Sequence, residues 1–328
     1  MACFCVPPSG YPGMAACAFL RPGYPFIMNN GYSLAVQQAW GATAVDDDVP
    51  RLSAKKARAY MDLRVLPDRP VVLPDIMEGR PALWKWTPAF FRRCYPELTA
   101  EVHVGSISLR EQLDRMAVSS PEHPAPYPYS FDMAEHAPEL LRDLHPHLRF
   151  GSSDRTFHRT MPRSFMNGTK AHELFFGGRG ARFPLLHFDL LAMHTQITQI
   201  HGEKEFVLFD PRQTPLLYPE PGCPRVSRIP DVFAPDFSRF PAFARARATR
   251  VLLRPGETLF FPSGWWHTSR IHSTSITYGR AVLNASNWRG MLREKRMAWH
   301  TSHPLMAWPA YAYGRTLGMA MSAMEAVR

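Results

Sequence analysis

The stretch between Phe131 and Trp288 constrains the fold most, because it consists mainly of short β-type segments. Gly, Pro and Asp residues separate these segments at close intervals. Many short strands punctuated by turn residues are typical of a β-sandwich or a barrel. We therefore predict a mostly β core that spans about residues 129–288.

The sequence on the N-terminal side of this core has a different pattern. Residues 1–50 are interrupted by Pro and Gly without clear periodicity, so we expect an irregular arm. Residues 51–128 form a predicted lead-in, which starts with a helix over Ser53–Arg64 that has Ser53 as its N-cap. A strand in "RPVVLPDI" follows, and then a short helix in "WTPAFFRRCYPEL" that is capped by Thr87 and has a proline in its first turn.

The sequence after the core is helical in pattern. Residues 289–328 contain "RGMLREKRMAWH" and a tail rich in Met and Ala. Met and aromatic residues at helical spacing more often form a core or a dimer face than a cofactor site. We expect a C-terminal helical extension, and a homodimer formed through these helices.

Composition limits the partners and the compartment. The chain of 328 residues has a formal net charge of +10 and a sequence pI of about 9.6. Such a charge suits nucleic acid or another acidic partner, but it is spread along the chain, which favours an ordinary solvated surface over nucleic-acid binding.

Apolar runs are too short to span a bilayer, and the N-terminus lacks the pattern of a secretory signal. The 5 cysteines lack the spacing of a zinc site, so we expect reduced thiols, a cytoplasmic location and no membrane contact.

Potential metal ligands occur within the predicted core. His187 and Asp189 lie two residues apart in "PLLHFDLLAMHTQITQIHGEKEFVLFDP", and His267 ends "PGETLFFPSGWWH". A buried histidine or aspartate needs a partner, and residues two apart on a strand point to the same side. Two imidazoles and one carboxylate can occupy one face of an octahedral metal and leave three positions open, as in the facial triad of non-haem Fe(II) oxygenases. An isolated H-x-D motif is weak evidence, so a structural role stays open at this point.

The combination of motifs resembles a known family. "HFD…QIHGEKEFVLFDP…RPGETLFFPSGWWH" is similar to the Jumonji C (JmjC) hydroxylases of the cupin superfamily, which are Fe(II)- and 2-oxoglutarate-dependent oxygenases. The similarity extends over about Arg69 to Trp288 and is greatest to the lysyl and asparaginyl hydroxylase subgroup. It implies a mostly β fold with flanking helices, the double-stranded β-helix or jelly roll of the cupins.

The resemblance also implies roles for individual residues. His187, Asp189 and His267 would be the Fe(II) ligands. Lys204 would bind the distal carboxylate of 2-oxoglutarate, because the cosubstrate supplies the counter-charge that a buried lysine needs. The hydroxyl of Tyr129 would help to bind the same carboxylate. No catalytic residue beyond the metal ligands is required.

Other positions near the cosubstrate depart from the family pattern. Thr195, on the strand that follows the ligand pair, is expected near the metal or the cosubstrate. Relatives commonly carry Thr at the position of Pro184, and Thr and Asn at about Gly279 and Ala281. How 2-oxoglutarate is bound without these side chains stays open. Arg280 is either an alternative anchor or an ordinary ion-paired residue.

The resemblance implies hydroxylation of a C–H bond, with release of succinate and CO₂. The substrate would be a peptide or protein side chain, or an amino-acid-like metabolite. The insert Arg212–Arg250 is expected to shape the substrate entrance. One alternative is a non-catalytic cupin that serves as a binding or scaffold module, and another is a metal-dependent cupin that does not use 2-oxoglutarate. The altered cosubstrate positions favour these alternatives, whereas the intact His-Asp-His pattern with Lys204 opposes them.

Overall fold

A computed structural model of the chain describes residues 49–53, 69–145, 154–156, 158–166 and 170–326. The predicted N-terminal arm, apart from its last two residues, lies outside these ranges. The predicted helix over Ser53–Arg64 also lies outside them, apart from Ser53 itself.

Most described strands belong to a six-stranded or a three-stranded antiparallel sheet. In chain order the strands are β1 (Val71–Leu73), β2 (Thr99–Val102), β3 (Gly105–Ser108), β4 (Tyr129–Asp132), β5 (His172–Gly177), β6 (His194–His201), β7 (Lys204–Phe209), β8 (Pro219–Glu220), β9 (Cys223–Ser227), β10 (Thr249–Leu253), β11 (Thr258–Phe261), β12 (Trp266–Ile271) and β13 (Ser275–Val282). The large sheet has the order β1-β11-β6-β13-β5-β4, and the small sheet has the order β10-β7-β12. Many neighbours are distant in sequence, as in a jelly roll, so the predicted mostly β jelly-roll fold is confirmed.

In chain order, the described α-helices lie before β5 and after β13. They are α1 (Ala82–Lys85), α2 (Pro88–Cys94), α3 (Leu109–Ala117), α4 (Met133–His136), α5 (Arg163–Met166), α6 (Trp288–Ser302) and α7 (Pro304–Ala326). The start of α2 is as predicted, because the Thr87 hydroxyl accepts a hydrogen bond of 3.2 Å from the Phe90 amide and Pro88 lies in the first turn. The strand predicted in the lead-in is β1, which pairs with β11.

The large sheet separates two apolar layers. Side chains alternate along β6, so Ile200 faces the lead-in helices while Ile197 faces the small sheet. On the lead-in side, Phe91 of α2 packs edge-on against Phe176 of β5, with ring centroids 4.9 Å apart. On the other side, Ile197 packs with Phe206 of β7. The space between the sheets is therefore the interior of the barrel.

The insert Arg212–Arg250 covers the outer face of the small sheet. Trp266 of β12 is fully buried against insert residues that include Phe243. The hairpin of β8 and β9 also extends the small sheet, because Val226 forms an antiparallel bridge with His187. The insert therefore lies beside the segment that carries the predicted metal ligands.

The predicted C-terminal helical extension is confirmed as α6 and α7, which pack against each other. The indole of Trp288 donates a 3.0 Å hydrogen bond to the Gly314 carbonyl. A Cβ at Gly318 would lie 2.3 Å from the same indole, so this close approach needs glycine. The end of α7 is tied to the core by a 2.7 Å ion pair between Arg155 and Glu325. Within the described ranges, no helix has both the length and the apolar character needed to cross a membrane.

Candidate metal centre

Backbone pairing brings His187 and His267 together. The two residues exchange N–H···O bonds of 3.1 and 2.6 Å between the segment of His187 and β12. Directly paired residues have their side chains on the same side of a sheet, and the two imidazole centroids are 4.3 Å apart. Asp189 joins them two residues further along, whereas Phe188 points outward and packs against Trp266.

The donor atoms of these three side chains converge. The Nε2 atoms of His187 and His267 each lie 3.9 Å from Oδ1 of Asp189. Each Nδ1 atom faces a backbone carbonyl two residues earlier, at 3.4 Å for His187 and 3.1 Å for His267. An Nδ1–H that donates to a carbonyl leaves the Nε2 lone pair available for a metal. The hydroxyl of Thr195 donates to the other carboxylate oxygen of Asp189, so this side chain is oriented from the large sheet.

Burial and the neighbouring side chains determine the protonation of this cluster. Desolvation, together with the nearby His267, lowers the pKa of His187 well below its ordinary value, so the imidazole is neutral. Burial opposes the ionisation of Asp189, but the two imidazoles and the Thr195 hydroxyl outweigh it and lower the pKa of the carboxyl. Two imidazole nitrogens and one carboxylate oxygen are the donors of a non-haem Fe(II) site, so these residues fit that ion.

A buried lysine lies on the same inner face of the small sheet. The side chains of Lys204 and Leu208 point to one side of β7, and Leu208 is paired with His267. The Lys204 amine donates a 2.6 Å hydrogen bond to the Tyr127 hydroxyl and lies 4.9–5.5 Å from three aromatic ring centroids. Among the described residues no carboxylate forms an ion pair with it, and burial lowers its pKa to about 7 although Glu173 acts in the opposite direction. The Lys204 amine can therefore pair with an anionic group.

The structure does not bring Tyr129 to this lysine, so that prediction is wrong. The Tyr129 hydroxyl donates a 2.6 Å hydrogen bond to the Leu98 carbonyl, and its ring packs against Phe176 in the outer layer. The neighbour of Lys204 is Tyr127, in the loop before β4. The sequence "PYPYS" offers both tyrosines, but only the path of the loop decides which one enters the barrel.

Arg280 also does not line the interior, so its prediction as a cosubstrate anchor is wrong. It pairs with Gln196 across β13 and β6 and forms an ion pair with Asp154, which is the alternative left open by the sequence. The neighbouring Gly279 faces inward, where a Cβ would lie 3.0 Å from the Phe175 ring. An aromatic ring therefore fills the space at this altered family position. Pro184 is exposed.

The chain matches the cupin-like domain family over residues 57–284, which is well over half of its length. A relative in Drosophila melanogaster, named Jumonji C domain-containing protein 5, is 23% identical over 247 residues and covers 70% of this chain. Together with the fold, these matches assign the chain to the cupin-like JmjC family of the cupin superfamily.

Two further relatives show how far the similarity extends. Lysine-specific demethylase 8 of Xenopus tropicalis is 25% identical over 247 residues, which are 70% of this chain and 51% of the relative. HSPB1-associated protein 1 of Homo sapiens is 38% identical over 104 residues, which are 29% of this chain and 20% of the relative. The chain thus spans about half of the length of the Xenopus demethylase, a fifth of the human HSPB1-associated protein 1 and 58% of the Drosophila relative.

The substitution Lys204→Met is expected to stabilise the ligand-free protein at pH 6 by about 3 kcal/mol or more. Burial lowers the pKa of Lys204 from 10.5 to about 7, so between these values the unfolded chain binds more protons than the folded one. Wild-type stability should therefore rise with pH over this range, and the advantage of the Met variant should fall to about 1 kcal/mol by pH 10.

Urea unfolding at pH 6, 8 and 10 measures this effect. Lys170→Met is the control, since Lys170 is exposed and its ion pair with Glu173 contributes little. Identical pH dependence in wild type and Lys204→Met would contradict the presence of a buried, destabilising cation.

Proposed function

We propose that the protein is an Fe(II)- and 2-oxoglutarate-dependent oxygenase that hydroxylates a C–H bond and releases succinate and CO₂. The observation that carries this function is the joint presence of two groups on one inner face of the barrel. One is the His-Asp-His cluster, and the other is a buried lysine that has no acidic partner within the described residues. Membership of the JmjC family supports the same assignment.

In this function His187, Asp189 and His267 bind the metal ion. Fe(II) and 2-oxoglutarate, when bound, supply the oxygen activation, and the protein supplies geometry and a dry interior. Thr195 orients the carboxylate of Asp189 through its hydrogen bond. Phe183 stacks on the His187 imidazole with ring centroids 4.8 Å apart, which restricts the rotation of that ring.

Lys204 and Tyr127 bind the distal carboxylate of the cosubstrate. A carboxylate next to the amine raises its pKa and restores the ammonium form, so binding relieves the cost of burying this group. The rings of Phe175 and Phe206 lie beside the amine and exclude water from it. This pair of residues replaces the predicted pair of Lys204 and Tyr129.

The substrate is a peptide or protein side chain, or an amino-acid-like metabolite. The insert hairpin forms a wall beside the metal ligands through the bridge between Val226 and His187. On this hairpin the guanidinium of Arg225 makes no hydrogen bond or ion pair with the other described residues. Its charge opposes the rise that burial causes in the pKa of Glu294, and it adds to the lowering of the pKa of Asp189 by the two imidazoles and Thr195, so it lies near the centre. A substrate carboxylate would pair well with this guanidinium, which favours an acidic peptide or an amino acid.

A cupin that binds metal without oxygenase activity is the alternative. The altered positions Gly279 and Ala281 favour it, since they lack the polar side chains common in relatives. The buried Lys204 opposes it, because a scaffold has no need of a destabilising cation in its interior. We also propose a reducing, cytoplasmic location, because the chain has 5 cysteines, a small and odd number for its length.

The Fe(II)-loaded protein is expected to convert 2-oxoglutarate to succinate in air, slowly alone and faster with an acidic peptide than with its amide counterpart. His267→Ala should reduce succinate formation by about 100-fold or more, because even residues behind metal ligands change activity by roughly 10–100-fold. His123→Ala, at an exposed position on the lead-in, is the matched control and should leave the rate unchanged. Tight iron binding without any succinate from the wild type would favour the scaffold alternative.

We further propose a homodimer through α7. The face of this helix that packs on α6 contains Gly314 and Met321, whereas another face leaves Leu305 90% exposed and Met319 63% exposed. Exposed apolar residues concentrated on one helix are typical of a protein interface, and a second copy presents the same surface.

Light scattering should therefore give the mass of a dimer for the wild type. The double variant Leu305→Asp/Met319→Asp should give a monomer, because buried carboxylates oppose association. Val118→Asp, which changes an 80% exposed apolar residue at the end of α3, should remain dimeric. A monomeric wild type at the same concentration would contradict the dimer.

A further inference from the structure

The turn that directly follows Asp189 has an unusual backbone. It spans Leu190–Ala192, and both Leu191 and Ala192 have left-handed conformations, with φ of 58° and 50°. Residues that carry a Cβ rarely adopt the left-handed conformation. Two successive residues of this kind therefore need surrounding contacts to stabilise them. These contacts therefore help to determine the direction in which the chain leaves Asp189.

The stabilising contacts come from α6. The carboxylate of Glu294 accepts a 2.6 Å hydrogen bond from the Leu191 amide, and it also accepts one from the Ala192 amide. The side chain of Asn287 donates a 2.9 Å hydrogen bond to the Ala192 carbonyl. Three polar backbone groups of the turn thus bond to two side chains that are distant in sequence.

The spacing of the α6 residues shows that one face of the helix is fitted to the turn. A Cβ at Gly290 would lie 2.7 Å from the Cβ of Ala192, so only glycine allows this approach. Asn287, Gly290 and Glu294 are three and four residues apart, which places them on one side of a helix. Leu191 adds an apolar contact, since it is buried in the same cluster as Met291.

We propose that α6 positions the metal ligand Asp189 by stabilising the strained turn after it, with Glu294 as the main positioning residue. This inference rests on the proposed function, because it treats Asp189 as a metal ligand. Two independent contacts then orient that ligand: Thr195 fixes its carboxylate, and α6 fixes its backbone. Asn287, Gly290 and Glu294 all follow residue 284, the last residue matched by the family, so the family match does not assign them this role.

The test compares Glu294→Ala with Arg293→Ala, an exposed neighbour on the same helix. Co(II) serves as the probe, because its visible absorption reports the coordination geometry without turnover. Glu294→Ala should weaken Co(II) binding by about 10–100-fold and alter the spectrum, as expected for a residue behind a ligand, whereas Arg293→Ala should bind like the wild type. In the metal-free proteins, amide hydrogen exchange of the peptide 186–193 should also be faster in Glu294→Ala than in the wild type, and it should be unchanged in Arg293→Ala.

A rescue experiment separates positioning from general stability. Ala192→Gly removes the steric cost of the left-handed conformation, so the double variant Ala192→Gly/Glu294→Ala should recover most of the lost Co(II) affinity. Glu294→Gln retains one oxygen acceptor and should lose less affinity than Glu294→Ala. If Glu294→Ala does not fold, Glu294→Gln provides the comparison, with faster local exchange and weaker Co(II) binding expected.

The positioning role would be overturned if a folded Glu294→Ala had the Co(II) affinity, the spectrum and the local hydrogen exchange of the wild type. If Glu294→Ala does not fold, the same result in Glu294→Gln would overturn it. The metal centre would still stand if His187→Ala abolished Co(II) binding in the same assay. A wild type that binds no Co(II) would instead overturn the metal centre, and the positioning role with it.

Discussion

The backbone pairing of His187 with His267 is the interaction on which the site depends. It places the two imidazoles side by side and joins the ligand segment to the small sheet. On its other side the same segment is bridged to the insert through Val226. A segment paired on both sides cannot slip by one residue without exchanging its inward and outward side chains, so sheet register fixes which side chains meet. Asp189 completes the cluster two residues further along.

Around this pairing, burial in the apolar interior makes the charged forms of His187 and Lys204 costly. Burial lowers the pKa of His187, so its imidazole is neutral and can bind a cation. It lowers the pKa of Lys204 to about 7, so an empty pocket is less stable than one containing an anion. Ligands that bind only the folded state return stability by mass action. In the proposed function, a cation and an anion bound in this interior would each relieve a cost of folding.

Local patterns in the sequence predicted the parts of the structure that depend on local physics. The cap at Thr87 needs only a hydroxyl and a following proline, and the H-x-D spacing needs only the alternation of an extended chain. Tyr127 and Arg280 were missed or misplaced because their roles depend on the path of a loop and on which face of β13 points inward. Glu294 was missed because its contact with the turn joins residues about a hundred positions apart, for which the sequence carries no signal.

The most direct test of the account is an anaerobic titration of the Fe(II)-loaded protein with 2-oxoglutarate, followed by visible absorption. We expect the weak metal-to-ligand charge-transfer band of a chelated 2-oxoacid. In Lys204→Ala and Tyr127→Phe, the band should form only at higher concentrations of 2-oxoglutarate than in the wild type. Tyr129→Phe should behave like the wild type, because the Tyr129 hydroxyl bonds to the Leu98 carbonyl in the outer layer. Iron binding without any such band would contradict the account, because the interior beside the His-Asp-His cluster would then not bind the cosubstrate.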